Sequence, residues 1–170
     1  MKFEVFDNVL SLENFNLISN TMSAFEFPWH LSRGKSHSYE GKQDKRIFQF
    51  IHFFYKDFSF TSPYANILDP LLEALQPVSL IRIKANLTTI TPEIIQYDFH
   101  RDVNLNSARS KTAIYYLNTN NGRTIFNSGE EVESIANRLV IFDSDNLHKG
   151  TSCTDEPFRV VINFNYFTHF

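Results

Sequence analysis

Short apolar and aromatic runs broken by polar turn residues fill the second half of the chain. They predict strands over Leu80–Thr88, Ile94–Asp102, Lys111–Asn118, Arg123–Phe126, Arg138–Phe142 and Arg159–Phe167. Asn121-Gly122, between two of these segments, is a turn signal for a hairpin. The first half has a different rhythm. Residues 3–6 form a short strand. After Ser11, a capping residue, apolar side chains at Leu12, Phe15, Ile18, Met22 and Phe25 recur at three- and four-residue spacing and predict a helix. Asp69-Pro70 supplies a cap and a proline at the first helical position, opening a second, short helix through Leu75. Residues 46–60 (RIFQFIHFFYKDFSF) are aromatic-rich and extended. The polar stretch 31–46, with Gly34 and Gly41, has no period and is expected to be a mobile loop, a candidate lid.

Two helices followed by many short strands predict a mainly β fold, a sandwich or jelly roll backed by N-terminal helices. No composition break, repeat or linker divides the sequence, so residues 1–170 are expected to form a single domain. Hydrophobic residues make up 42% and aromatics 15%, with 18 phenylalanines, which suits a packed, strand-rich core. The formal net charge of −3 provides no global positive field, so a nucleic-acid partner is not expected. The single cysteine, Cys153, allows no internal disulfide and fits a reducing cytoplasm. Charges interrupt the N-terminal segment MKFEVFDNVLSLENF too early for a signal peptide, and no apolar run has the length of a membrane span. A cytoplasmic location without membrane attachment is therefore expected.

The chemistry concentrates in His100-Arg101-Asp102. On a strand, residues two apart share a face, so His100 and Asp102 point the same way. An isolated H-x-D pair says little in a chain with 6 histidines. Here it closes one candidate strand, while His148 follows another and Arg159 begins the last. Two histidines and one carboxylate form the facial triad that holds Fe(II) in non-haem oxygenases and leaves coordination positions open. Arg159 lies among Val160, Val161, Ile162 and Phe164. A buried arginine there needs an anionic partner, and its planar fork suits a carboxylate. His30, His37, His52 and His169 have no partner at ligand spacing.

The segments FHRD (99–102), TAIYYLNTNNG (112–122), NRLVIFD (137–143), LHKGT (147–151) and FRVVINF (158–164) together resemble the Fe(II)/2-oxoglutarate-dependent dioxygenase superfamily. Within it they look most like the prolyl-4-hydroxylase-like branch, including its small bacterial and phage forms. The likeness covers roughly residues 80–167. The resemblance implies a double-stranded β-helix and a reaction consuming 2-oxoglutarate and dioxygen, releasing succinate and CO2 and hydroxylating a substrate. It implies His100, Asp102 and His148 as iron ligands and Arg159 as the partner of the 5-carboxylate of 2-oxoglutarate. Tyr116 would add a hydrogen bond to that carboxylate, and Asn86 another polar contact to the co-substrate. Thr124 reads as structural, and Arg159, Val161 and Asn163 should face inward together. An aspartate at 102 speaks against the halogenase variant. The absence of a second arginine in VVINFNYF speaks against the nucleic-acid repair branch.

The substrate is less legible. Gln96 and Asp98 share the strand face of His100 and are candidate substrate contacts. By analogy with the branch, a peptidyl-proline-like or small amino-acid-like substrate is expected. The alternative is a cupin-type jelly-roll metal enzyme, or a binding module, that does not use 2-oxoglutarate. The sequence does not determine the oligomeric state.

Overall fold

The computed structural model describes residues 2–32, 48–103 and 109–169. Among these residues eleven strands and two α-helices follow in chain order. They are β1 (Phe3–Phe6), α1 (Leu12–Ser23), β2 (His30–Ser32), β3 (Gln49–Lys56), β4 (Ser59–Phe60), α2 (Asp69–Leu75), β5 (Ser79–Thr89), β6 (Ser110–Tyr116), β7 (Asn120–Phe126), β8 (Glu131–Ser134), β9 (Arg138–Asp143), β10 (His148–Gly150) and β11 (Phe158–Phe167). A 3-10 turn at Ala65–Leu68 leads into α2.

The strands form two antiparallel sheets. The larger runs β1-β9-β6-β11-β5-β3-β2, with β4 attached to β3, and the smaller runs β10-β7-β8. Alternation along each strand separates two cores. Tyr115, Ile162, Ile83 and Ala85 pack on one face of the large sheet against Ile18 and Met22 of α1 and Leu71 and Leu75 of α2. Tyr116, Val161, Ile114 and Val140 pack on the other face against Phe126 and Val132 of the small sheet. The molecule is a mainly β double-stranded β-helix with N-terminal helices on its outer face. Among the described residues no helix is long and apolar enough to cross a membrane.

The Ser11 cap is as expected: its hydroxyl accepts from the Asn14 amide at 3.3 Å. The apolar stripe of α1 is only partly used, since Leu12 is 73% exposed and Phe25, beyond the helix end, 99%. Asp69 does not cap α2. It is the first residue of the helix, because the preceding 3-10 turn already supplies helical backbone at Leu68. Of the polar stretch 31–46, Leu31 and Ser32 belong to β2, and the remaining residues lie outside those described. His52 is buried. Its Nδ1 donates to the Pro28 carbonyl at 2.9 Å and its Nε2 accepts from the Ser62 hydroxyl at 2.8 Å, a structural role.

Two local expectations change. Asn121-Gly122 is not a hairpin turn. Both residues lie inside β7, where its register against β8 is irregular, and β6 and β7 belong to different sheets. The tight hairpin instead joins β3 to β4 through Asp57 and Phe58, both with positive φ, as a type I′ turn requires. The strand expected at 94–102 is reduced to bridges at Gln96 and His100, because its partner β10 spans only three residues.

Gly122 answers a different need. A Cβ there would lie 2.6 Å from Cδ of Arg159 and 2.9 Å from the Ser152 carbonyl, so only glycine lets the arginine pass. Gly122→Ala is expected to cost about 1–3 kcal/mol through overpacking. It should also weaken any anion held by Arg159. Thermal melts and ligand titration of the same variant check both effects.

Candidate metal centre and anion pocket

His100 and His148 meet because their backbones pair. The His100 amide donates to the His148 carbonyl at 2.9 Å, and the His148 amide returns a bond to the His100 carbonyl at 3.1 Å. Residues paired this way stand opposite each other with neighbouring side chains, and the two imidazole centroids are 4.8 Å apart. Asp102, two residues on, reaches both: Oδ1 is 3.8 Å from Nε2 of His100 and Oδ2 is 3.8 Å from Nε2 of His148. One ligand atom from each of the three side chains lies within 4.8 Å of the others.

Hydrogen bonding sets which imidazole nitrogen is available. Nδ1 of His100 donates to the Asp98 carbonyl and Nδ1 of His148 to the Asn146 carbonyl, each at 3.1 Å. A neutral imidazole donating through Nδ1 carries its lone pair on Nε2. Burial pulls the His148 imidazole below its ordinary range, against the opposing pull of Asp102. Burial alone would raise the Asp102 carboxyl. His148, Arg82, His100 and the Asn165 amide outweigh it and hold the group below the usual carboxylate range. With both imidazoles neutral, two Nε2 lone pairs and a carboxylate converge. That donor set fits a divalent cation with nitrogen and oxygen preference, and its three ligands leave positions open. Beside it, Oδ1 of Asn163 is buried and has no hydrogen-bond partner among the described residues.

These side chains form one end of a cavity of about 700 Å³. Along its wall β11 and β5 run in register, with Arg159 opposite Thr88, Val161 opposite Asn86 and Asn163 opposite Lys84. Arg159, Val161 and Asn163 face inward together, as alternation requires, and all three line the cavity. Arg159 is 5% exposed. Its Nε donates to the Ser134 hydroxyl at 2.8 Å and its Nη2 to the Thr124 hydroxyl at 3.4 Å. The guanidinium lies 5.7 Å from the Tyr116 ring centre. Among the described residues no carboxylate lies within ion-pair distance of it. Among the described residues the guanidinium donates to hydroxyls, an arrangement that can receive an anion entering the cavity.

The other candidates divide. The Tyr116 hydroxyl donates to Thr124 at 2.7 Å, which places it beside Arg159. Asn86 and Asp98 line the cavity; Gln96 does not. Gln96 is exposed, because its backbone pairs with Thr151 at the edge and turns the side chain outward. The Thr124 hydroxyl joins Tyr116 to Arg159. Tyr97, Arg82 and Ser134 were not anticipated. Alternation from Asn86 puts Lys84 and Arg82 on the same inward face, a signal the strand pattern did contain. Ser134 lies on a strand the apolar runs did not mark, so nothing in the chain pointed to it.

A jelly roll that brings two histidines and an aspartate to one end of a cavity, and a buried arginine to its wall, has the architecture of a non-haem iron oxygenase. Residues 90–167 match the family model of the 2OG-Fe(II) oxygenase superfamily. Over that stretch the chain is similar to this superfamily of iron- and 2-oxoglutarate-dependent dioxygenases. Similar folds include a Trichoplax adhaerens prolyl hydroxylase solved with a hypoxia inducible factor peptide, at 17% identity and TM-score 0.70, covering 97% of this chain and 83% of that one. A viral collagen prolyl hydroxylase from Paramecium Bursaria Chlorella virus-1 is 13% identical with TM-score 0.63, covering 99% and 97%. A 2OG-Fe(II) oxygenase family oxidoreductase from Burkholderia pseudomallei is 10% identical with TM-score 0.72, covering 98% and 85%. At these identities the likeness is one of fold. No curated protein matches the chain in sequence.

Proposed function

We propose that the chain is a hydroxylase in which His100, Asp102 and His148 hold Fe(II) and Arg159 holds the 5-carboxylate of 2-oxoglutarate. One observation carries this reading. Ligand atoms of two histidines and an aspartate converge in a cavity whose wall carries a buried guanidinium with no carboxylate partner among the described residues. When bound, ferrous iron supplies the redox chemistry that couples decarboxylation of 2-oxoglutarate to oxygen insertion. Dioxygen, 2-oxoglutarate and a substrate C–H bond give succinate, CO2 and a C–OH group.

The protein's part is placement. Arg159, fixed by Ser134 and Thr124, offers its remaining donors to the distal carboxylate in a planar fork. Tyr116, joined to the same threonine, supports the fork, and Asn86 is the further polar contact. Ile114 and Val161 form apolar wall between the two polar ends and exclude water from the co-substrate's middle. The histidine Nδ1 bonds to backbone carbonyls keep both Nε2 lone pairs aimed at the centre.

The substrate would enter where Phe48, Ile51 and Phe53 line the cavity, with Asp98 nearby. We assign it to the peptidyl-proline-like or small amino-acid-like class, acted on by a single-domain, cytoplasmic enzyme. Support comes from the prolyl hydroxylases among the fold neighbours and from a wall that mixes aromatic with charged groups. Succinate release should rise with added proline-containing peptides or free amino acids, in air, with Fe(II) and 2-oxoglutarate. Release without any 2-oxoglutarate dependence would favour the cupin-type alternative.

A further inference from the structure

We propose that Arg82, acting through Asn165 and alongside Asn163, is the positioning residue for Asp102: a clamp that fixes the carboxylate for the metal. The inference rests on the proposed metal centre and extends it beyond the three ligands. The Asp102 side chain is almost fully buried, yet the residue lies in no regular strand. Its backbone alone does not dictate where its two oxygens point. Three side chains from the regular strands β5 and β11 do so instead.

Arg82 and Asn165 are register partners across β5 and β11. Two donors of one guanidinium reach two acceptors: Nε donates to Oδ1 of Asn165 and Nη2 to Oδ1 of Asp102, both at 3.1 Å. The Asn165 amide nitrogen then donates to Oδ2 of Asp102 at 3.4 Å and to the Thr112 hydroxyl at 3.0 Å. Asn163 adds a second amide to Oδ2 at 3.3 Å. One carboxylate oxygen therefore faces a guanidinium and the other two amides. Thr112 donates onward to the Ser144 hydroxyl at 3.2 Å, which roots the network in β6 and the connection between β9 and β10. Asn165 is 0% exposed and both its polar atoms are engaged, so its amide cannot turn without losing bonds.

A planar guanidinium can serve Asp102 and Asn165 together because its donors lie in one rigid fork; a lysine ammonium holds only a point contact. Partners of this outer kind usually govern metal affinity by about 10–100-fold. Electrostatics alone predicts the opposite sign, because Arg82 is a cation beside a dication's site, and its removal should then tighten metal binding. The sign of the effect therefore separates orientation from repulsion.

The test is calorimetric titration of the full chain with Mn(II) or Co(II) alone, with the Co(II) visible spectrum as a coordination signature. No turnover is needed. Arg82→Met is expected to weaken binding about 10–100-fold and to alter the Co(II) bands. Arg82→Lys should fall between that variant and the wild type, and it carries the test if the methionine variant fails to fold. An affinity at or above wild type in either folded variant overturns the clamp while leaving the metal centre standing. A wild-type chain that takes up neither ion overturns both.

Discussion

Replacing His148 by alanine is expected to abolish metal uptake and, with it, turnover. His148 is 2% exposed, and its ring is wedged between Phe142, at 4.8 Å, and His100. No other histidine, cysteine or acidic side chain joins the three-residue cluster among the described residues, so nothing there can replace it. Two remaining ligands make a weaker, more open site. Since outer partners alone are worth about 10–100-fold, loss of a direct ligand should exceed about 100-fold in affinity. Iron per chain after anaerobic loading, with circular dichroism to verify the fold, checks the result. The Phe142 contact predicts some loss of stability too, because the imidazole leaves a void. Retained iron at wild-type stoichiometry would show that His148 is not a ligand.

Arg159→Leu should produce the second large effect, confined to 2-oxoglutarate. The guanidinium is buried, and the hydroxyls of Ser134 and Thr124 that hold it are neutral. Truncating one partner of a buried, hydrogen-bonded charge pair typically costs about 2–5 kcal/mol. That corresponds to roughly 30- to 4,000-fold in affinity. Metal affinity measured without 2-oxoglutarate should change little, because Arg159 makes none of the hydrogen bonds that hold the three donors. Arg159→Lys keeps the charge and loses the fork, so it should recover part of the binding. A 2-oxoglutarate affinity unchanged by either substitution would exclude Arg159 as the anchor.

The difference between what the chain announced and what it concealed has physical causes. The apolar runs marked β5, β6, β9 and β11 well, because these strands are interior to the large sheet and carry buried apolar residues of its cores. They failed at 94–102. There the chain follows a three-residue partner, and extended backbone persists without a ladder. Gln96 went astray for the same reason: period two holds only where pairing is continuous. Asn121-Gly122 misled because glycine has two uses. A turn needs its torsional freedom, whereas β7 needs the missing Cβ so that Arg159 can pass.

The side chains His100, Asp102, His148 and Arg159 were visible because each is unusual where it stands, whether a charge among apolar residues or a histidine spaced from a carboxylate. Their supports were less legible. Ser134 and Asn165 carried no signal, and Thr124 and Asn163 were marked without their partners, which meet only when β5, β7, β8 and β11 come together. Arg82 lies 20 residues from Asp102 in sequence, and only the fold brings them to 3.1 Å.

Anaerobic visible spectroscopy of the wild-type chain with Fe(II), before and after 2-oxoglutarate, tests the central assignment most directly. A weak charge-transfer band is expected to appear only when both are present. It should vanish in His148→Ala, and Arg159→Leu should need a much higher 2-oxoglutarate concentration to develop it. A band that forms equally in the His148 variant, or no band in the wild type at saturating 2-oxoglutarate, would contradict the assignment.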